Sequence, residues 1–327
     1  MRVLSVEGLH VGYRTEGGLV PAVRGVDFEL ARGEVFGLAG ESGCGKSTVA
    51  HAILRLLPEG TQMSGRVLLG DADVLEMKPG KLRAVRWMEG AIVFQGAMHA
   101  LNPVRRIRDQ IAEPILIHGQ GGHSNVRERV GELLAHVGLP ARRGRDYPHE
   151  FSGGQRQRVM IAMALACDPN LLIADEPTTA LDVMVQAQVL TLLKGLQSEL
   201  GLAMLFITHD LSVLVEVCDR IGVMYAGRIV EEGPAQRVFQ SPGHPYTEAL
   251  AAAFPTIGDR SFRMAPSGLG GDPPDPQAIP SGCPFHPRCP KAFDECPHND
   301  PPLFEAGPDQ RAACLLVPRM APRAARP

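Results

Sequence analysis

The 327-residue chain predicts an α/β fold on a largely parallel sheet, with a helical subdomain inserted into it and a small cysteine-rich segment appended. Three observations carry this. The run GESGCGKST at 40–48 follows a strand-like stretch at 35–39 and opens a helix, which is the strand–loop–helix context of a phosphate-binding loop. Two near-continuous apolar runs, 171–174 and 203–208, flank a predicted helix over 183–200, as parallel strands buried on both faces do. Beyond about residue 254 the periodicity gives way to proline, glycine and cysteine.

Taken in order, 4–9, 26–30 and 35–39 read as strands, and a helix is predicted from Lys46 to about Pro58. Helical spacing dominates from Asp71 to Leu139. It is clearest in 104–117 and 125–137, with a strand over 91–94 and Gly and Pro punctuation between the segments. The helical subdomain is placed at about 96–165, ending in a helix that follows FSGGQRQR. The segments 221–224 and 228–231 predict a hairpin turning at Ala226-Gly227. Residues 1–254 form the nucleotide-binding domain of this reading, 255–282 a Pro/Gly-rich linker, and 283–327 the cysteine-rich end.

Composition narrows the function. Hydrophobic residues make up 44% of the chain, enough for a core. The net charge of −3 supplies no global basic field, which disfavours a general nucleic-acid binder. The start, MRVLSVEGLHVGY, alternates like a strand and does not resemble a secretory signal. No stretch reaches the roughly 18 apolar residues of a membrane-spanning helix, so any membrane role is expected to act through partners.

GESGCGKST fits G-x-x-x-x-G-K-[ST], in which backbone N–H groups of a glycine-rich loop and a helix N-terminus converge on phosphate oxygens. Gly40, Glu41, Ser42, Gly43, Cys44, Gly45, Lys46, Ser47 and Thr48 are therefore the candidate nucleotide-binding residues. Lys46 is placed on the β- and γ-phosphates and the Ser47 hydroxyl on Mg²⁺. Cys44 stands at a variable position of the loop and reads as filler.

Six segments in fixed order then carry a family resemblance: Tyr13, the run 40–48, Gln95, Ser152–Gln155 within FSGGQRQR, the pair Asp175-Glu176, and His209. This order resembles the nucleotide-binding subunit of an ABC transporter over roughly residues 1–250. The SGGQ run upstream of an acidic pair is its least ambiguous marker. The resemblance implies an ATPase with Asp175 holding Mg²⁺, Glu176 polarising the attacking water, and His209 contacting the γ-phosphate and that water. Gln95 would touch metal and water, while Tyr13 would lie against adenine. Ser152, Gly153, Gly154 and Gln155 would cap ATP held by a second ATPase subunit across a head-to-tail interface, with Asp182 in a loop crossing the same interface. That dimer is expected to pair two distinct chains.

The last 45 residues hold Cys283, Cys289, Cys296 and Cys314, spaced C-x5-C-x6-C-x17-C, without the short knuckles of ordinary zinc sites. Four thiolates in a reducing compartment suit either a [4Fe–4S] cluster or Zn²⁺. GCPFHPRCPKAFDECPHNDPPL, FQGAMHALNPV and GHPYTEAL further resemble oligopeptide and dipeptide importer ATPases, and that resemblance favours the iron–sulfur cluster. The cluster is expected to fold a segment too poor in apolar residues to fold alone, leaving the nucleotide affinity of the core untouched. His286 and His298 read as surface residues, and Arg311, Arg319, Arg323 and Arg326 as a solvated terminus.

The resemblance thus implies ATP hydrolysis driving peptide import at the cytoplasmic face of the inner membrane. The implied partners are a second ATPase subunit, two transmembrane permeases and an extracytoplasmic binding protein. Two other readings stay open: a soluble ABC-type ATPase acting on nucleic acid or ribosomes, and an importer of nickel or another small solute.

Overall fold

The computed structural model describes residues 1–96, 100–118, 123–253 and 269–317. Part of the FQGAMHALNPV run, the boundary near residue 255 with the start of the linker, and Arg319, Arg323 and Arg326 lie outside the described residues.

In chain order the first elements are β1 (Arg2–Thr15), β2 (Gly18–Ala31), β3 (Val35–Ala39), α1 (Lys46–Ile53), β4 (Gln62–Leu69), β5 (Ala72–Asp73), α2 (Pro79–Val85) and β6 (Gly90–Val93). Then come α3 (Ile107–Ile117), α4 (His123–His136), α5 (Gly153–Ala164), β7 (Leu171–Asp175), α6 (Val183–Leu200), β8 (Ala203–Ile207) and α7 (Leu211–Val217). The chain continues with β9 (Arg220–Tyr225), β10 (Arg228–Pro234), α8 (Ala235–Gln240), α9 (Pro245–Ala253), β11 (Phe304–Gly307) and β12 (Gln310–Ala312).

Two compact units result. The first comprises residues 1–5, 29–35 and 67–207. Its centre is the parallel set β6–β7–β8, registered Gly90↔Leu171 through Val93↔Ala174 and Leu171↔Ala203 through Asp175↔Ile207. Every residue of β7 and β8 is buried, as their unbroken apolar runs require. Helix α6 spans the predicted residues because both of its ends are specified. Asp182 caps the N-terminus by accepting from Val185 N at 3.0 Å, and Gly201 ends the helix at φ 61°.

The second unit comprises 6–28, 36–66 and 208 onward. Here β3 pairs with β9 in parallel, and β9 turns into antiparallel β10 through Ala226 and Gly227, both at positive φ, as a tight hairpin demands. Helix α1 stops at Ile53, short of Pro58, because Arg55 adopts φ 48° and ends the helical run. Strand β4 has no clear sequence signal: its first five residues are exposed or half-buried, and only its last three carry the apolar pattern.

The C-terminal segment departs most from expectation. It adds a hairpin to the sheet, with β12 antiparallel to β10 at Glu231↔Ala312 and Glu232↔Arg311, and β11 outside it. Phe285 is 1% exposed and its ring meets Tyr225 and Tyr246 at 5.3 and 5.4 Å. Backbone pairing and one aromatic anchor thus contribute to the folding of a segment whose composition alone gave no such promise.

Candidate functional site

The phosphate loop leaves β3 and enters α1. Gly40 (φ 144°) and Gly45 (φ 107°) must be glycine, since a Cβ at either would stand 2.4 Å from a backbone oxygen, that of Met224 and of Ala22 respectively. Lys46 is 5% exposed, and its Nζ donates to Gly40 O at 2.7 Å and Glu41 O at 2.9 Å. The ammonium is thereby folded back onto its own loop, where phosphate oxygens could exchange with carbonyls. Cys44 is buried beside it at 3.7 Å, and burial pushes its thiol up, so it behaves as a packed apolar side chain. The Tyr13 hydroxyl lies 3.1 Å from Thr48 Oγ1, which brings the aromatic candidate to the end of the loop.

In the other unit, β6 and β7 deliver Gln95 and the acidic pair from their C-terminal ends, where functional groups gather in open parallel sheets. Asp175 is 2% exposed. Glu176 follows at φ 45°, an unusual conformation for a residue with a Cβ, held by its N–H donating to Ile207 O at 2.9 Å. Its Oε2 accepts from Gln95 Nε2 at 2.7 Å and from Thr179 Oγ1 at 2.9 Å. Sequence reasoning placed Gln95 on the metal and on the water that Glu176 polarises, and did not predict this direct bond; it also missed Thr179, whose only signal is its place three residues on. His209 belongs to the same unit as the phosphate loop; it is exposed, next to Asp210, which caps α7 through Ser212 N.

The Ser152–Gln155 run opens α5 as a capping box: Ser152 Oγ accepts from Gln155 N, and Gln155 Oε1 accepts from Ser152 N. Gly154 faces Val185, and a Cβ there would stand 2.3 Å from its Cγ1. The run therefore packs on the first turn of the helix that Asp182 caps, so the two predicted interface pieces belong to one local structure.

Cys283, Cys289, Cys296 and Cys314 line one pocket of ≈ 20 Å³, together with Phe285 and Phe293. Among the described residues, however, no group of three or more His, Cys, Asp or Glu side chains stands in a metal-holding arrangement. The four thiols therefore share a pocket but do not stand in a preorganised four-sulfur arrangement. Burial pushes Cys283 up to about 11 and also raises Cys289 and Cys314, with the neighbouring cysteines adding to the shift. The donor set and its convergence still fit a soft metal centre, which would require those protons to leave. The His286 ring is engaged with Cys283 O at 2.9 Å.

One group was invisible to sequence reasoning. Arg288, from the cysteine segment, grips the Glu41 carboxylate with both terminal nitrogens, at 2.7 and 2.9 Å, across 247 residues of chain. Tyr246, in the GHPYTEAL run, accepts from Glu41 N through its hydroxyl at 2.9 Å. No motif spacing links positions so far apart.

Residues 23–179 match the family described as ABC transporter, and 230–296 match that described as oligopeptide/dipeptide transporter, C-terminal region. The dipeptide transport ATP-binding protein DppD of Bacillus subtilis (strain 168) is 44% identical over 299 residues, covering 90% of this chain and 89% of that protein. The chain belongs to the ABC transporter family. It is an ATP-hydrolysing cassette of that family carrying the C-terminal region of the oligopeptide/dipeptide group. The oligopeptide transport ATP-binding protein OppD of Escherichia coli (strain K12) is 43% identical over 96% of this chain and 93% of its own. Among solved structures, the dimeric post-hydrolysis ATP-binding cassette MJ0796 bound to ADP and Pi aligns with a TM-score of 0.64 at 28% identity, covering 71% of this chain and 98% of that one. Among the described residues of this cassette no helix is long and apolar enough to cross a membrane.

Proposed function

We propose that this cassette hydrolyses ATP to drive the import of di- and oligopeptides, from a peripheral position on the cytoplasmic face of the membrane. It would act with two permease subunits, a second ATPase chain and an extracytoplasmic binding protein. The observation that carries the reading is the C-terminal match at 230–296, joined to near full-length similarity to proteins named for dipeptide and oligopeptide transport.

In this reading the loop 40–48 binds the triphosphate, with Lys46 exchanging Gly40 O and Glu41 O for β- and γ-phosphate oxygens. Ser47, Gln95 and Asp175 would hold Mg²⁺, which supplies charge neutralisation on the phosphates. Glu176, oriented by Gln95 and Thr179, polarises the attacking water, and His209 contacts that water and the γ-phosphate. Tyr13 stacks on adenine. The Ser152–Gln155 run and Asp182 face the partner chain's nucleotide, so turnover requires the dimer.

Cys283, Cys289, Cys296 and Cys314 would hold a [4Fe–4S] cluster with a structural role. Their convergence on one pocket supports this. Anaerobically purified protein should then be brown and contain about four irons and four sulfides per chain. Colourless protein with stoichiometric zinc, or without metal despite adequate iron, removes the cluster and leaves the assignment as an ATPase standing.

Transport is tested by reconstituting the chain with the permeases encoded beside it and supplying a labelled tripeptide and the binding protein. ATP-dependent accumulation is expected, together with peptide-stimulated hydrolysis. Stimulation by nickel or a glycoside, with none by peptides, would overturn the cargo.

A further inference from the structure

Glu41 is the first variable residue of the phosphate loop, and every polar group it owns is engaged. Its N–H donates to the Tyr246 hydroxyl at 2.9 Å, its carbonyl accepts from Lys46 Nζ at 2.9 Å, and its carboxylate is forked by Arg288. Arg288 is only 7% exposed and Glu41 23%, so the pair is shielded from solvent. Its guanidinium also reaches the Tyr225 hydroxyl at 3.4 Å and lies 5.9 Å from that ring. The side chain is thus fixed on three sides.

A carboxylate in a loop built for a triphosphate is an electrostatic problem. Like charges repel most where solvent is excluded, and the loop's own cation, Lys46, is committed to the phosphates. We propose that Arg288 is a positioning residue of the nucleotide site, which neutralises Glu41 and turns its carboxylate away from the phosphates, making ATP affinity depend on the cysteine segment. The arginine stands one residue before Cys289, in the turn 286–288, so whatever orders that turn sets the fork. A bidentate pairing demands a planar guanidinium in a fixed place, a demand that a solvated, independent tail could not meet. The segment is therefore a component of the ATP site, contrary to its expected independence.

The test is the dissociation constant of Mg-ATP for the full-length chain in four forms, read by equilibrium dialysis. Arg288→Ala leaves Glu41 unneutralised and is expected to weaken binding about tenfold. Glu41→Gln alone is expected to tighten binding, because it removes the carboxylate's repulsion and leaves the Arg288 charge uncancelled beside the phosphates. The double variant Arg288→Ala/Glu41→Gln recovers affinity to within about twofold of the parent, because the repulsion that Arg288 offsets no longer exists. Arg288→Lys keeps the charge but loses the fork, and should restore only part of the affinity lost in Arg288→Ala. An unchanged constant in Arg288→Ala, a double variant as weak as Arg288→Ala, or weakening by Glu41→Gln each overturns the proposal. A purely structural arginine gives the second pattern, because disorder in the segment is not repaired at Glu41; the Glu41→Gln arm needs no change in the segment at all.

Discussion

At the scale of single residues, one candidate side chain in each unit is held in place, and the two are held by opposite means. Glu176 sits in a backbone conformation that costs about 1–3 kcal/mol, offset by a backbone bond to Ile207 and by the Gln95 and Thr179 donors on its carboxylate. Glu176→Gln preserves the shape and removes the charge, so ATP should bind normally while turnover falls by about 10²-fold or more. Single-turnover hydrolysis beside a binding measurement checks this; near-parental turnover in an assembled complex would remove Glu176 from its role. Lys46 is held by neutral carbonyls that it must leave. Lys46→Ala should weaken nucleotide binding itself and cost several kcal/mol of transition-state stabilisation, on the order of 2.7–4 by analogy with loss of one oriented donor. Unchanged affinity and rate in that variant would contradict the phosphate-loop assignment.

At the scale of elements, the first turns of α5 and α6 meet closely at Gly154 and Val185. Gly154 has no room for a methyl group against Val185. Gly154→Ala should displace the Ser152–Gln155 run and lower hydrolysis in the assembled complex, while ATP binding by the same chain's own loop persists. Val185→Ala in the same chain should restore part of the activity by opening the space, and a failure of that rescue would separate the defect from packing. The elements also show what the sequence could convey. Strands β7 and β8 and helix α6 were legible because burial on both faces writes continuous apolar runs, and because Asp182 and Gly201 mark the helix ends. Strand β4 and the β11–β12 hairpin were not. The first is polar where it is exposed, and the second consists of short strands whose stability comes from pairing with β10, a partner some 80 positions upstream. The same physics governed the site. Local motifs named Lys46, Ser47 and Glu176, whereas Arg288 and Tyr246 reach the loop only through tertiary structure.

At the scale of the whole molecule, a histidine buried against Phe285 of the cysteine segment makes stability depend on acid. His244 is 2% exposed; its Nδ1 accepts from Tyr246 N at 3.0 Å, and burial holds its pKa down at about 4. The unfolded chain takes up that proton near pH 6.5, whereas the folded chain resists until about pH 4. His244 thus contributes stability that is fully present above pH 6.5 and is lost as the pH falls through 4, at about 1.4 kcal/mol per unit within that window. Glu231 works the other way, since burial raises its carboxyl and favours the protonated form on acidification. Comparing parent and His244→Gln isolates the histidine: the parent should lose more stability between pH 7 and 5, read by urea unfolding. Equal losses would mean that His244 is solvated or charged in the folded chain.

The hairpin on β10 also determines how this protein can be shortened. Glu231 and Glu232 pair with Ala312 and Arg311 respectively, so the backbone groups of β10 that would otherwise face outward are consumed by the chain's own end. A chain cut before residue 300, at what looks like a natural domain boundary, would keep every ATP-binding motif yet expose a strand edge ready to pair with other molecules. It would also leave Glu231 buried without the 2.7 Å bond from Gln310. Clumping of such a fragment would therefore report an uncapped sheet and carry no information about whether the ATPase itself is sound.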